Sequence, residues 1–98
     1  MLTQAMVDKL NEQINLEFYS SNLYLQMSAW AESKGYEGCA EFLKEHADEE
    51  MMHMKRLFTY VNETGSLALI GSIEAPPAEF GTIKGLFDAV YEHEQLVT

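Results

Sequence analysis

The chain is poor in cysteine, in basic residues and in helix breakers, and each shortage excludes something. Cys39 is the single cysteine, so no intrachain disulfide can form, which suits a reducing compartment. No apolar run approaches the ~18 residues that read as a membrane span. Met1 to Leu10 has no basic stretch followed by an apolar core, so no secretory leader is expected and the expected location is the cytoplasm. Six lysines and arginines stand against 16 acids, a formal charge of −10. Nucleic acid and anionic membrane surfaces would repel such a chain. Cations are its natural partners, although an acidic surface also serves plain solubility. Ninety-eight residues bound the chain to one domain with a modest core.

Glycine and proline are absent before Gly35, and the two prolines stand together at Pro76-Pro77. The uninterrupted stretches between breakers carry helical periodicity. A first helix is expected over about 4–33, with Thr3 as N-cap and Gly35 in the turn that ends it. Leu10, Ile14, Glu17, Ser21, Tyr24, Ser28 and Ala31 are spaced by fours and threes, which puts them on one inward face. Leu16, Leu23 and Trp30 repeat every seven residues, as do Phe18 and Leu25. Apolar character on several faces suggests packing against a neighbouring subunit as well as within the chain. A second helix is expected over about 37–64, stopped by Gly65. Its inward face carries Leu43, Ala47, Glu50, Met54 or His53, Leu57, Val61 and Thr64. So short a turn between such long helices makes an antiparallel hairpin. Residues 66–81 lose the helical period and read as a long crossing connection. Thr82 is placed to cap a third helix over 83–98, whose stripe is Ile83, Leu86 or Phe87, Val90, Glu94 and Val97.

The chemistry lies in acids on those inward stripes. Glu17, Glu50 and Glu94 fall on the inward faces of three different helices, and His53 follows Glu50 by three positions, on the same helix face. A carboxylate in an apolar interior must be protonated, paired or bound to a cation. None of the six basic residues falls on an inward stripe. Carboxylate and imidazole donors suit iron, manganese or zinc, and two bridged metals fit the donor count best. Each residue also has a plain structural reading: a snorkelling glutamate, a hydrogen-bonded core histidine. Tyr24 lies two turns beyond Glu17, where it can bond a ligand, yield an electron to a bound oxidant, or simply tether its hydroxyl in the core. Glu49 points away from Glu50 and suits a secondary or access site, or solvent. His46 and His93 read as structural. Met51, Met52 and Met54 surround His53, but methionine-rich helices commonly fill gaps, and haem is not expected.

The segments Lys9 to Tyr24, Met27 to Trp30, Glu49 to Met54 with Arg56 to Phe58, and Tyr91 to Leu96 together resemble bacterial non-haem ferritins, and the likeness spans essentially the whole chain. The resemblance implies an all-α, ferritin-like four-helix-bundle fold and a di-iron carboxylate centre that oxidises ferrous iron with dioxygen or peroxide before ferric mineral is stored. It implies that Glu17, Glu50 and His53 hold a first iron, that Glu50 bridges to a second held partly by Glu94, that Glu49 serves a nearby third iron, and that Tyr24 stands beside the pair. It further implies a homo-oligomer, a hollow 24-subunit shell for a complete subunit. The family pattern continues the third helix and adds a long fourth one, which these 98 residues do not include. The expectation is therefore an incomplete domain over 1–98: a long hairpin, a crossover and a shortened third helix. It would be part of a longer subunit, a truncated ferritin, or a hairpin dimer in which two copies of Glu17, Glu50 and His53 meet. The alternative function is a helical assembly module that binds metal only partially and does not turn over.

Overall fold

The computed structural model describes residues 2–97. Among these it has three helices and no strand: α1 over Gln4–Ser33, α2 over Glu37–Glu63 and α3 over Ile83–Val97. The boundaries follow from local chemistry. Thr3 has extended backbone, and its hydroxyl accepts from the Met6 N–H at the start of α1, satisfying one of the orphan donors of a helix N-terminus. Gly35 and Gly65 take φ of +87° and +84°, the left-handed conformation that lets each long helix stop abruptly. After Gly35 the Tyr36 N–H returns to the Ala31 carbonyl at 2.9 Å. Thr82 caps α3 through its hydroxyl, which accepts from the Gly85 N–H at 3.0 Å. No helix of the described residues is long and apolar enough to cross a membrane.

α1 and α2 form the expected antiparallel hairpin, and the molecule is 49 Å along its longest axis. Small residues set its register. Ser21 donates to the Ala47 carbonyl at 2.8 Å and Ser28 to the Ala40 carbonyl at 2.6 Å. A step of seven along α1 is thus matched by a step of seven back along α2. Two apolar clusters result. One holds Leu23, Tyr24, Met27, Trp30, Leu43, Ala47 and Leu86. The other holds Ile14, Met54 and Val61. Each fully buried leucine or methionine contributes on the order of 1.5–3 kcal/mol. Where the periodicity left a choice, Met54 and Leu86 are the buried members; His53 and Phe87 are exposed.

Of the stripe Leu16, Leu23 and Trp30, expected to pack against a second subunit, Leu23 and Trp30 are buried by this chain itself and Leu16 is half-buried. Residues 66–81 run back along α1 as an irregular strap. Asn11 donates to the Leu67 carbonyl and accepts from the Leu69 N–H; Asn15 donates to the Leu69 carbonyl and accepts from the Gly71 N–H, all within 3.2 Å. Two side-chain amides one turn apart thereby satisfy alternate peptide groups of the strap, as a neighbouring strand would. At the far end the Trp30 indole N–H donates to Glu79 Oε1 at 2.7 Å, and the Trp30 ring meets Phe80 edge-on. The Phe80 and Gly81 N–H groups also bond Glu79 Oε1. The Gly81 bond first, then that of Trp30, holds the Glu79 carboxyl below its ordinary range. Leu25, by contrast, stays half-exposed. α3 packs on α1 and reaches α2 through a side-chain contact between Glu94 and His46.

Candidate metal centre

Glu17 and Glu50 are both buried, between the two apolar clusters rather than in either. The serine-set register brings Glu17 opposite the turn of α2 that carries Glu50 and His53. The Glu17 carboxylate has one satisfied oxygen: Oε1 accepts from Gln13 Nε2 at 2.7 Å. Its Oε2 is buried and makes no hydrogen bond. The nearest imidazole nitrogen recorded against it, His53 Nδ1, stands at 3.8 Å, too long for a hydrogen bond. His53 Nδ1 also lies 3.9 Å from Glu50 Oε2. Glu17, Glu50 and His53 thus form a group whose ligating atoms lie within 4.8 Å of one another.

A second group of the same compactness joins His46, Glu50 and Glu94. His46 Nε2 lies 2.6 Å from Glu94 Oε1 and 3.9 Å from Glu50 Oε1. The Tyr24 hydroxyl donates to the same Glu94 oxygen at 2.8 Å. Glu50 belongs to both groups, with Oε1 toward His46 and Oε2 toward His53. That is the disposition of a bridging carboxylate.

The electrostatics show how poorly the acids are compensated. Burial, then the neighbouring Glu17 carboxylate, then the charges of Glu94 and Glu49 push the Glu50 carboxyl up to about 8. Burial works in the same direction on Glu94. There the bonds from His46 and Tyr24 outweigh it and hold that carboxyl below its ordinary range. Tyr24 is pushed well above the usual phenol range, by burial and then by its bond to Glu94. His93, immediately before Glu94 on α3, is buried and bonds Ser20 Oγ at 2.6 Å. Burial lowers it, so it stays neutral more readily than an exposed imidazole. Among the described residues no lysine or arginine lies within 4 Å of Glu17 or Glu50. An unbonded buried oxygen, a proton-hungry carboxylate beside it and two imidazoles at the margin make a donor set that fits a divalent or trivalent cation.

The geometry therefore gathers four of the anticipated residues, Glu17, Glu50, His53 and Glu94, with Tyr24 bonded to the last. Two placements differ from the sequence reading. The His53 side chain is 51% exposed, on the side of the hairpin that α3, packed on α1, does not cover. Glu49 is exposed and joins neither group; its Oε2 stands 3.8 Å from His46 Nδ1. His46, read from the sequence as structural, stands beside Glu50 and Glu94. It precedes Glu50 by four positions, as His53 follows by three, and both spacings return to one helix face.

A family model for the ferritin-like domain matches residues 7–98. Among similar proteins, a probable bacterial non-heme ferritin-like protein of Haemophilus influenzae is 60% identical across all 98 residues, which cover 59% of that protein. The bacterial non-heme ferritin of Escherichia coli is 54% identical over the same span, again 59% of its length. Among solved structures, a Chlorobium tepidum ferritin superposes with a TM-score of 0.96 at 47% identity, covering 99% of this chain and 60% of that one. An open pore ferritin from Archaeoglobus fulgidus gives 0.95 at 37% identity, covering 99% and 60%. The chain thus spans about three-fifths of the length of the relatives it matches.

Proposed function

The chain belongs to the ferritin-like domain family, and from that premise we propose that it serves iron storage and detoxification by oxidising ferrous iron at a two-metal carboxylate centre. Iron is the substrate. One ferrous ion is taken by Glu17, Glu50 and His53; a second is taken on the Glu94 side of Glu50. Each gives up one electron. The pair together reduces dioxygen to hydrogen peroxide with uptake of two protons, or hydrogen peroxide to two waters with uptake of two more. Dioxygen or peroxide supplies the driving force, and hard carboxylate oxygens add to it by favouring ferric over ferrous iron. Ferric iron then leaves for a mineral held in a hollow cytoplasmic homo-oligomer, in which further helical structure completes the bundle beyond residues 1–98. Glu49, at the open margin beside His46, takes an accessory iron on that route. Tyr24, bonded to Glu94 Oε1, orients that carboxylate beside the second metal.

The observation that carries this reading is the Glu17–Glu50 pair: two buried carboxylates, one with an unbonded oxygen, the other held near neutrality in its affinity for protons. A cation between them removes both penalties at once. The test is aerobic oxidation of added ferrous iron, followed by ferric absorbance, for the protein and its Glu50→Ala variant. The protein should outpace both buffer and the variant. Equal rates for protein and variant would leave only a helical module with incidental metal binding.

A further inference from the structure

We propose that His93 is a positioning residue for Glu94: by bonding Ser20 and packing on the Tyr24 ring, it fixes α3 on α1 at the register that brings Glu94 to the centre. The inference rests on the two-metal reading above and adds to it the residue that aligns the second half.

The hold of α3 on the hairpin is narrow. Among the described residues of α3, only Leu86 and His93 are buried. They stand seven positions apart, two turns along one face. Leu86 sits in an apolar cluster. An apolar contact resists removal from α1 but is non-directional, so small slides and rotations of α3 cost it little. A buried imidazole must instead find a particular partner. His93 Nε2 lies 2.6 Å from Ser20 Oγ. The roles at that contact follow from the serine. Ser20 Oγ has one proton and gives it to the Leu16 carbonyl at 2.9 Å. The oxygen is left as an acceptor, so His93 Nε2 carries the hydrogen and donates it.

The place of this bond gives it a second role. Ser20 and Tyr24 are one turn apart on α1, and His93 and Glu94 are neighbours on α3. Two consecutive residues of α3 therefore meet two consecutive turns of α1. His93 donates to Ser20, and Glu94 Oε1 accepts from the Tyr24 hydroxyl at 2.8 Å. The His93 ring also touches two phenols, with centroids 5.8 Å from Tyr19 and 5.7 Å from Tyr24, nearly perpendicular to the latter. It thus steadies the same phenol that bonds Glu94. The Glu94 side chain is 34% exposed, so burial alone does not fix its place. Glu17, Glu50 and His53 belong to the hairpin, whose register is set by the Ser21–Ala47 and Ser28–Ala40 bonds. Neither bond involves α3. Loss of His93 should therefore damage one half of the centre and spare the other, whereas a residue serving stability alone would weaken both halves or neither.

Cobalt(II) is the probe, titrated into the metal-free protein and followed by its absorption and by calorimetry. The unmutated protein should bind two ions with distinct affinities. Glu94→Gln should weaken one of them, which identifies the ion on the Glu94 side. His93→Leu should weaken that same ion by at least about tenfold and leave the other within about twofold. His93→Gln, whose amide N–H can donate to Ser20, should recover most of the lost affinity. Ser20→Ala removes the acceptor and keeps the imidazole; it should give the same selective loss, and it carries the test where the leucine variant fails to fold by circular dichroism. Equal weakening of both ions by His93→Leu, or of neither, overturns the proposal. So does a glutamine variant that binds no better than the leucine one, or a Ser20→Ala variant with both affinities intact. In each of these cases the two-metal reading survives. Fewer than two ions in the unmutated protein, or a Glu94→Gln variant that binds both as the parent does, overturns that reading and this one with it.

Discussion

Replacing Glu50 with glutamine should make the metal-free protein more stable and the metal-loaded protein less so. The buried carboxyl titrates near 8 instead of its ordinary 4.5. Between those values the folded chain holds a proton that the unfolded chain has released. Stability is therefore complete below about pH 4.5 and falls as pH rises toward 8. At about 1.4 kcal/mol per pH unit, the ceiling on the loss between pH 5.5 and 8 is about 3 kcal/mol. The side chain of neighbouring His53 is 51% exposed, so water relieves part of this, and about half the ceiling is the expected figure. Glutamine keeps the shape and cannot ionise. In chelator, Glu50→Gln should match the parent at pH 5.5 to within about 1 kcal/mol and exceed it at pH 8 by about 1–2 kcal/mol, or about 5–15 °C in Tm for a domain of this size. Starting at pH 5.5 keeps the series clear of the isoelectric point near 4.5. Saturating zinc should reverse the order, because only a folded state with its bridging carboxylate gains from ligand binding. Thermal melts of both proteins across pH, with and without zinc, decide the matter. A variant–parent difference that does not grow with pH, or a Gln variant that zinc stabilises as much as the parent, would refute the reasoning.

The strap over α1 makes its own predictions. Asn15→Ala leaves the Leu69 carbonyl and the Gly71 N–H without their partner, and Asn11→Ala does the same for Leu67 and Leu69; these bonds are exposed or half-buried, so each variant should lower stability by about 0.5–1.5 kcal/mol in urea and speed proteolysis within 66–81. Leu43→Ala, at a fully buried position, should lower stability by about 2–4 kcal/mol without loosening the strap; a change under 1 kcal/mol in the same titration would mean the hairpin core is not packed as described. Glu79 is held below its ordinary carboxylate value, so its grip on Trp30 is present above pH 4.5 and lost as pH falls further. Trp30 is the single tryptophan, and its emission should change in that acid range and stay flat from 5.5 to 8.

The hairpin was legible because its signals are local. Thr3, Gly35, Gly65 and Thr82 act within a turn of their own positions, and an acid on an apolar stripe stands out without any partner in view. That is why Glu17, Glu50 and Glu94 could be named from periodicity. The strap was not legible, for a physical reason. Asn11 and Asn15 bond backbone groups that lie 54 to 58 positions away in sequence, and backbone groups have no residue identity to read. Two asparagines four apart inside a helix are poor helix formers, which was the one available clue. Without the strap, Leu23 and Trp30 looked like a surface in need of a second subunit. The spacing of His53 from Glu50 records only their shared face; its exposure is set by whatever packs on that side of the hairpin, which no pattern in α2 records.

The same register that builds the site also explains why it tolerates its own charge. The Ser21–Ala47 and Ser28–Ala40 bonds and the Leu43 layer lie on one side of the acids, and Ile14, Met54 and Val61 lie on the other. The carboxylates are thus held by packing that does not depend on them. A hairpin stabilised only next to its acids would open when Glu50 ionised, and the donors would separate before a cation arrived. Apolar clusters at both ends instead hold Glu50 close to Glu17 on one side and to Glu94 on the other. On the proposed reading, the cost of ionising Glu50 in the folded chain would be returned as affinity for an incoming ion. Glu17 Oε2, buried and without a hydrogen-bond donor, is on that reading the oxygen left for the cation.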